Sequence, residues 1–160
     1  MKPIDHKIGL LFSDVARMRI LLFDQMMQPE GLTHVQVFVL SYLFKSNGLT
    51  HTELSKLLGI GTVTVTGLVD RLEAKGWVTR KTDDKDRRAK RVWLTPKSGT
   101  IKDTIARYVS ELNTITLEGL TEEEADQLIS MLKVTRSNLS KKVGKKHLKP
   151  GASKDISSVA

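Results

Sequence analysis

The chain has no cysteine, which excludes a disulfide framework and any thiol redox switch. No apolar run comes near the roughly 20 residues that span a bilayer, and the opening MKPIDHK lacks the apolar core of a signal peptide. A soluble, cytoplasmic protein is therefore expected. Reactive chemistry is scarce as well. His6, His34, His51 and His147 are scattered without the i, i+4 or short-loop spacing of metal sites, which leaves structural or solvated roles and no metal. A Ser-His-Asp set, a carboxylate pair, a P-loop and a glycine-rich cofactor fingerprint are all missing, so neither an enzyme nor a bound cofactor is expected. At 160 residues the chain is one domain's worth, with room for a core if its terminal helices find partners.

What the chain does have is positive charge in particular places. The net charge is +8, and from Thr62 to Thr95 nine Lys and Arg stand against five Asp and Glu. From Lys141 to the end six stand against one, while residues 1–61 and 96–140 nearly balance. A field confined to one internal segment and a tail points to a polyanion partner.

The internal segment is built to meet one. Thr50-His51-Thr52-Glu53 is a capping box that starts a helix at Thr50, Leu54, Leu57 and Leu58 give it one apolar face, and Gly59 stops it. Ile60 and Gly61 form a short turn. A second helix is expected from about Thr62 to Lys75, with Val65, Leu68, Val69 and Leu72 inward and Gly76 as terminator. Its other face carries Thr62, Val63, Thr64, Thr66, Gly67 and Arg71, small near the start, as suits a helix that enters a major groove end-first. Gly67 costs about 0.5–1 kcal/mol relative to alanine in mid-helix, and a close approach to a backbone or base would give it a reason. His51 could reach a phosphate at the start of the first of these helices.

Trp77–Thr82 and Lys90–Leu94 read as two strands joined across Asp83–Ala89, a hairpin carrying Lys85, Arg87, Arg88, Lys90 and Arg91. Arginines on such a hairpin can lie in a minor groove or on phosphates. The plainer alternative is a solvated edge that discourages aggregation, with Asp84 and Asp86 forming exposed ion pairs to Arg87 and Arg88.

The text LVDRLEAKGWVTRKTDDKDRRAKRVWLTPKSG, Leu68 to Gly99, resembles the MarR/SlyA family of dimeric winged helix-turn-helix transcription factors, and the likeness extends over nearly the whole chain. The fold so implied is mainly α with a small β part: an N-terminal dimerisation helix in residues 1–30, a DNA-binding winged helix-turn-helix in 31–95, C-terminal dimerisation helices in 96–142 and a basic tail in 143–160. The resemblance also implies that a wing arginine enters the minor groove, Arg87 here, with Arg88 as its partner.

The flanking pattern agrees. Ile8, Leu11, Val15, Met18 and Leu22 recur at alternating spacing until Pro29 and Gly31. Thr33-His34-Val35-Gln36 starts a helix with Val37, Leu40, Leu43 and Phe44 on its apolar side. Thr95-Pro96 reads as a helix start before Ile101, Ile105, Tyr108, Leu112 and Ile115. After Gly119, Thr121–Glu124 opens a last helix lined by Ala125, Leu128, Ile129, Leu132 and Leu139. Seams at both chain ends are hard to bury in one subunit, so a homodimer is expected. In the family resembled, the terminal helices interdigitate and set two heads on successive major grooves, which implies a pseudo-palindromic site with half-site centres about 10 bp apart.

The family's usual control is a small anionic or aromatic ligand bound between frame and head. The residues placed there by the resemblance are Arg17, Met18, Leu22, Val37 and Phe38; the plainer alternative is that Arg17 pairs with Asp14 or Asp24. The tail KKVGKKHLKPGASKDISSVA is expected to be disordered from about Gly144. The expected function is a sequence-specific repressor, with double-stranded DNA and a small-molecule effector as partners. Two alternatives stay open: a nonspecific architectural DNA-binding protein without effector, and a protein-interaction module on the same fold.

Overall fold

The computed structural model describes residues 7–83 and 89–143, within which lie six α-helices and one three-stranded sheet. Helix α1 spans Ile8–Met26. Pro29 sits in a single 3₁₀ turn, Gln28–Glu30, closed by Gly31 at φ +63°. Helix α2, His34–Lys45, is started twice over. The Gln36 side chain accepts the Thr33 N–H at 3.0 Å, and Asp24 of α1 accepts the His34 N–H at 2.5 Å, so the first turn of α2 is clipped to the helix before it.

Strand β1 is Leu49–Thr50, followed directly by α3, His51–Leu58, and α4, Thr62–Ala74. Strands β2, Val78–Thr82, and β3, Lys90–Leu94, form the hairpin. Long helices α5, Ser98–Leu117, and α6, Glu122–Val143, complete the described chain. The sheet order is β1-β3-β2, antiparallel throughout, with Leu49 opposite Val92 and Arg80 opposite Val92 on the other side. This is a winged helix: a mostly helical head carrying a small antiparallel sheet.

Strand β1 is absent from the sequence reading, because two residues carry no alternation to detect. It is held from outside itself. Asn47 Oδ1 accepts the Leu94 N–H at 2.9 Å, and Gly48 donates its N–H to Val92 O at 3.1 Å. A second correction concerns Thr95, which does not cap α5. Its hydroxyl donates to Gly76 O at 2.7 Å, tying the end of β3 to the end of α4, and α5 starts three residues later with buried Ser98 donating to the Trp77 carbonyl.

One continuous core joins the head to the lower half of the frame: Val37, Leu40 and Leu43 of α2, Leu54 of α3, Val65, Val69 and Leu72 of α4, and Ile101 and Ile105 of α5. The far halves of the long helices are different. Helix α6 has no buried residue, and Leu11, Val15 and Met18 of α1 are 61%, 50% and 56% exposed in the single subunit. Between α1, α5 and α6 runs an apolar groove of about 640 Å³, lined by Leu11, Val15, Leu117, Leu128 and Leu132. No helix among the described residues is long and apolar enough to cross a membrane.

Candidate nucleic-acid interface

Local chemistry fixes the angle between α3 and α4. Thr50 Oγ1 accepts the Glu53 N–H at 3.2 Å while Glu53 accepts the Thr50 N–H at 2.8 Å, which lowers the pKa of the Glu53 carboxyl. Gly59 stops the helix at φ +69°, and Ser55 donates its hydroxyl to Ile60 O at 2.6 Å across the turn. Tyr42 of α2 donates to Leu57 O at 3.2 Å, holding the end of α3 against the core.

Helix α4 buries Val65, Leu68, Val69 and Leu72 and leaves Thr62, Val63, Thr64 and Arg71 exposed, with Thr66 and Gly67 half-buried beside them. These are the six residues expected to read DNA, and they share the side of the helix away from the core. Gly61 precedes the helix without a side-chain cap, so the amides of its first turn have no side-chain acceptor there. The Thr66 hydroxyl donates back to Thr62 O at 3.0 Å.

The wing is locked to α4 by a residue that the sequence reading passed over. Arg80 on β2 donates from Nη1 to Asp70 Oδ1 at 2.7 Å and from Nε to Glu73 Oε2 at 2.9 Å, and its backbone N–H donates to Glu73 Oε1 at 2.9 Å. The hydrogen bond from Arg80 holds the Glu73 carboxyl below its usual range, and the same bond raises the pKa of the guanidinium. The available signal was two carboxylates three apart on α4, followed by an arginine in the next strand. The fork thus sets one guanidinium charge against both carboxylates of α4.

Arg91, expected on DNA, is turned inward. Its Nε donates to the buried Asp83 carboxylate, its Nη1 donates to Gly48 O at 2.8 Å, and Glu53 lies 3.6 Å away. Lys90 is exposed on β3 opposite Thr82. Asp83 donates its N–H to Ala89 O at 3.0 Å and so closes the base of the wing tip. Lys85, Arg87 and Arg88, with Asp84 and Asp86, lie outside the described residues.

The His51 ring turns its Nε2 into the fold. Its Nε2 is buried and has no hydrogen-bond partner among the described residues. Burial lowers its pKa below the ordinary 6.5, helped by the nearby Arg80 and Lys90 charges and opposed by Asp70 and Glu73. The sign follows directly: the unfolded histidine takes up a proton as pH falls through 6.5 and the folded one only at lower pH, so in between the unfolded chain binds more protons. Stability is expected to fall on acidification below pH 6.5, and to fall less in His51→Gln; urea unfolding at pH 7.5 and 5.5 measures the difference, and equal losses would remove His51 as a cause.

At the junction of frame and head lies a cavity of about 140 Å³ lined by Arg19, Phe23, His34, Val37, Phe38 and Leu112. His34 Nδ1 is 3.0 Å from Asp24 Oδ2, and its ring meets Phe38 edge-on. Arg19 donates to Asn113 Oδ1 at 2.9 Å and to the Thr116 hydroxyl; no carboxylate among the described residues forms an ion pair with it, and burial lowers its pKa. Of the residues expected here, Val37 and Phe38 line the cavity and Leu22 packs on the core. Arg17 and Met18 do not join them. Arg17 is 3.1 Å from Asp14 with its side chain 60% exposed, and Met18 is exposed. The geometry puts Arg19 at the cavity instead, two positions and a half-turn of helix away from Arg17.

A family model described as the MarR family matches residues 32–90, from just before α2 to the first residue of β3. The reduced form of MarR from E. coli is 29% identical, with 84% of this chain and 98% of that one covered and a TM-score of 0.76. A MarR transcriptional regulator from Methanosarcina mazei Go1 is 26% identical over 82% and 94%, TM-score 0.74. BpsR of Bordetella bronchiseptica, whose DNA binding is regulated by 6-hydroxynicotinic acid, shares the fold at 24% identity over 82% and 99%, TM-score 0.70. With the capped α3-turn-α4 pair, the wing and the long flanking helices all in their places, residues 32–90 match the MarR family and the chain shares the winged helix-turn-helix fold of MarR transcriptional regulators.

Proposed function

We propose that the protein is a homodimeric repressor that binds a pseudo-palindromic operator, with half-site centres about 10 bp apart, and leaves it when a small anionic or aromatic ligand binds. The observation that carries the reading is α4: an exposed face of small residues at the start of the helix, uncapped first-turn amides, and a wing clamped beside it by Arg80. Thr62, Val63, Thr64, Thr66, Gly67 and Arg71 read bases or touch the nearby backbone. Lys90 and the tip residues Lys85, Arg87 and Arg88 meet the duplex beside them, whereas Arg91 supports the wing through Asp83. The basic balance of this segment favours DNA over a protein-interaction role.

We place the effector at the junction cavity, where Arg19 is a partly buried cation whose hydrogen bonds among the described residues go to neutral oxygens, a setting that favours a carboxylate. BpsR gives a precedent for an aromatic acid acting on DNA binding in this fold. The test is fluorescence anisotropy at near-physiological salt on a duplex selected from random sequence and on its shuffled control, with and without aromatic carboxylates such as 6-hydroxynicotinate. Discrimination of roughly 10³ or more is the expected result. Release by an acid should be lost in Arg19→Gln with DNA affinity retained. A steep salt dependence with equal affinity for both duplexes would instead establish the architectural alternative.

A further inference from the structure

We infer that Val63 is a specificity-determining residue that recognises the C5-methyl group of a thymine in each half-site. The inference rests on the reading of α4 as the DNA-reading helix. Val63 is 88% exposed, more than any other large apolar residue described, and it stands apart. The remaining exposed apolar residues lie on α1, α5 and α6 or the turn joining the last two, where a dimer seam accounts for them; Val63 is in the head, on another element. At 100° per residue the four core residues of α4 centre on one direction, and Val63 and Gly67 point the opposite way.

The polar groups around Val63 are few. Thr62 and Thr64 carry single hydroxyls, the Thr66 hydroxyl is taken by the Thr62 carbonyl, and the first charged side chain on this face after the helix start is Asp70, which is held by Arg80. The first two turns thus have no Asn, Gln, Arg or Lys to grip a purine edge through two hydrogen bonds, which leaves apolar contact as their main means of telling one base pair from another. Thymine alone offers a methyl group in the major groove. Valine is suited to meet it, because its two methyl groups hang from a Cβ with little rotational freedom in a helix. Gly67, one turn further along the same side, leaves the space beside Val63 open. A Cβ added there would meet only the Arg71 guanidinium at 3.8 Å, so nothing in the fold itself requires glycine.

The experiment uses the full-length protein and the selected duplex. Each thymine is replaced, symmetrically in both half-sites, by deoxyuridine, which removes the methyl and keeps the base pair. One symmetric pair is expected to weaken wild-type binding about 15-fold, roughly fourfold per methyl buried at about 0.8 kcal/mol each. Val63→Ala should bind the thymine and uracil duplexes alike, near the wild-type affinity for uracil. Because Val63 is exposed and alanine is the better helix former, this variant keeps the fold. A scan in which no thymine matters, or a penalty that persists in Val63→Ala, overturns the inference while leaving DNA reading intact. A protein with no preferred duplex overturns both.

Discussion

Leu11→Asp is expected to turn the protein into a monomer and to weaken operator binding by about 10²–10⁴-fold. Leu11 is 61% exposed in the subunit and lines the groove between α1, α5 and α6, so the new carboxylate leaves the head untouched and stays solvated in the monomer. In the proposed dimer it would be buried with no partner, a cost of several kcal/mol at each symmetric copy. The loss of affinity then comes from separating two reading heads that otherwise act as one bivalent ligand, without any contact to DNA being changed. Sedimentation velocity and anisotropy on the same samples check both parts. A variant that remains dimeric would show that the groove is not the seam, and a monomer with undiminished affinity would show that one head suffices.

Gly48→Ala is expected to destabilise the fold by about 2–5 kcal/mol, combining a left-handed backbone with overpacking. Gly48 has φ +80°, and an added Cβ would lie 2.6–2.9 Å from three atoms of the Trp93 ring, a rigid group on β3 that cannot step aside cheaply. Its N–H and carbonyl are also both engaged, with Val92 O and Arg91 Nη1, so the backbone cannot retreat without breaking the β1–β3 edge and the anchor of Arg91. Gly59→Ala supplies the comparison. Gly59 has φ +69° but nothing within 4 Å of its missing Cβ, so only the conformational cost remains, about 1–2 kcal/mol. Thermal unfolding should separate the pair, with Gly48→Ala lowering Tm by roughly 5–15 °C. Equal shifts would remove the steric argument.

The features that were legible in the sequence are those written within a few neighbouring residues. The capping boxes at Thr33, Thr50 and Thr121 and the stops at Gly59 and Gly119 appear where local pattern puts them, because each box bonds residues three apart and each stop needs only a glycine at positive φ. What was missed depends on residues far apart. Strand β1 exists only because Asn47 and Gly48 bond to β3 more than 40 residues on. Thr95 looks like a helix cap until α4 brings the Gly76 carbonyl to its hydroxyl. At the junction the sequence pointed to Arg17, whereas the cavity holds Arg19; which side of α1 meets α5 is set by Asn113 and Thr116, nearly a hundred residues later. Arg91 shows the same limit for charge: a basic strand residue looks free until buried Asp83 is placed beside it.

The clamp made by Arg80 on Asp70 and Glu73 also bears on how such a regulator would change over time. It ties α4 and the wing into one stiff body, so in the proposed mechanism a ligand at the junction cavity would move each head as a whole and have little means of deforming the surface proposed to read bases. The factor by which the ligand weakens binding should therefore be nearly the same for strong and weak operators. If the proposed roles hold, substitutions on the exposed face of α4 would redirect the protein to new sites while the ligand response carried over, and changes around the cavity would retune the ligand without altering which sites are bound.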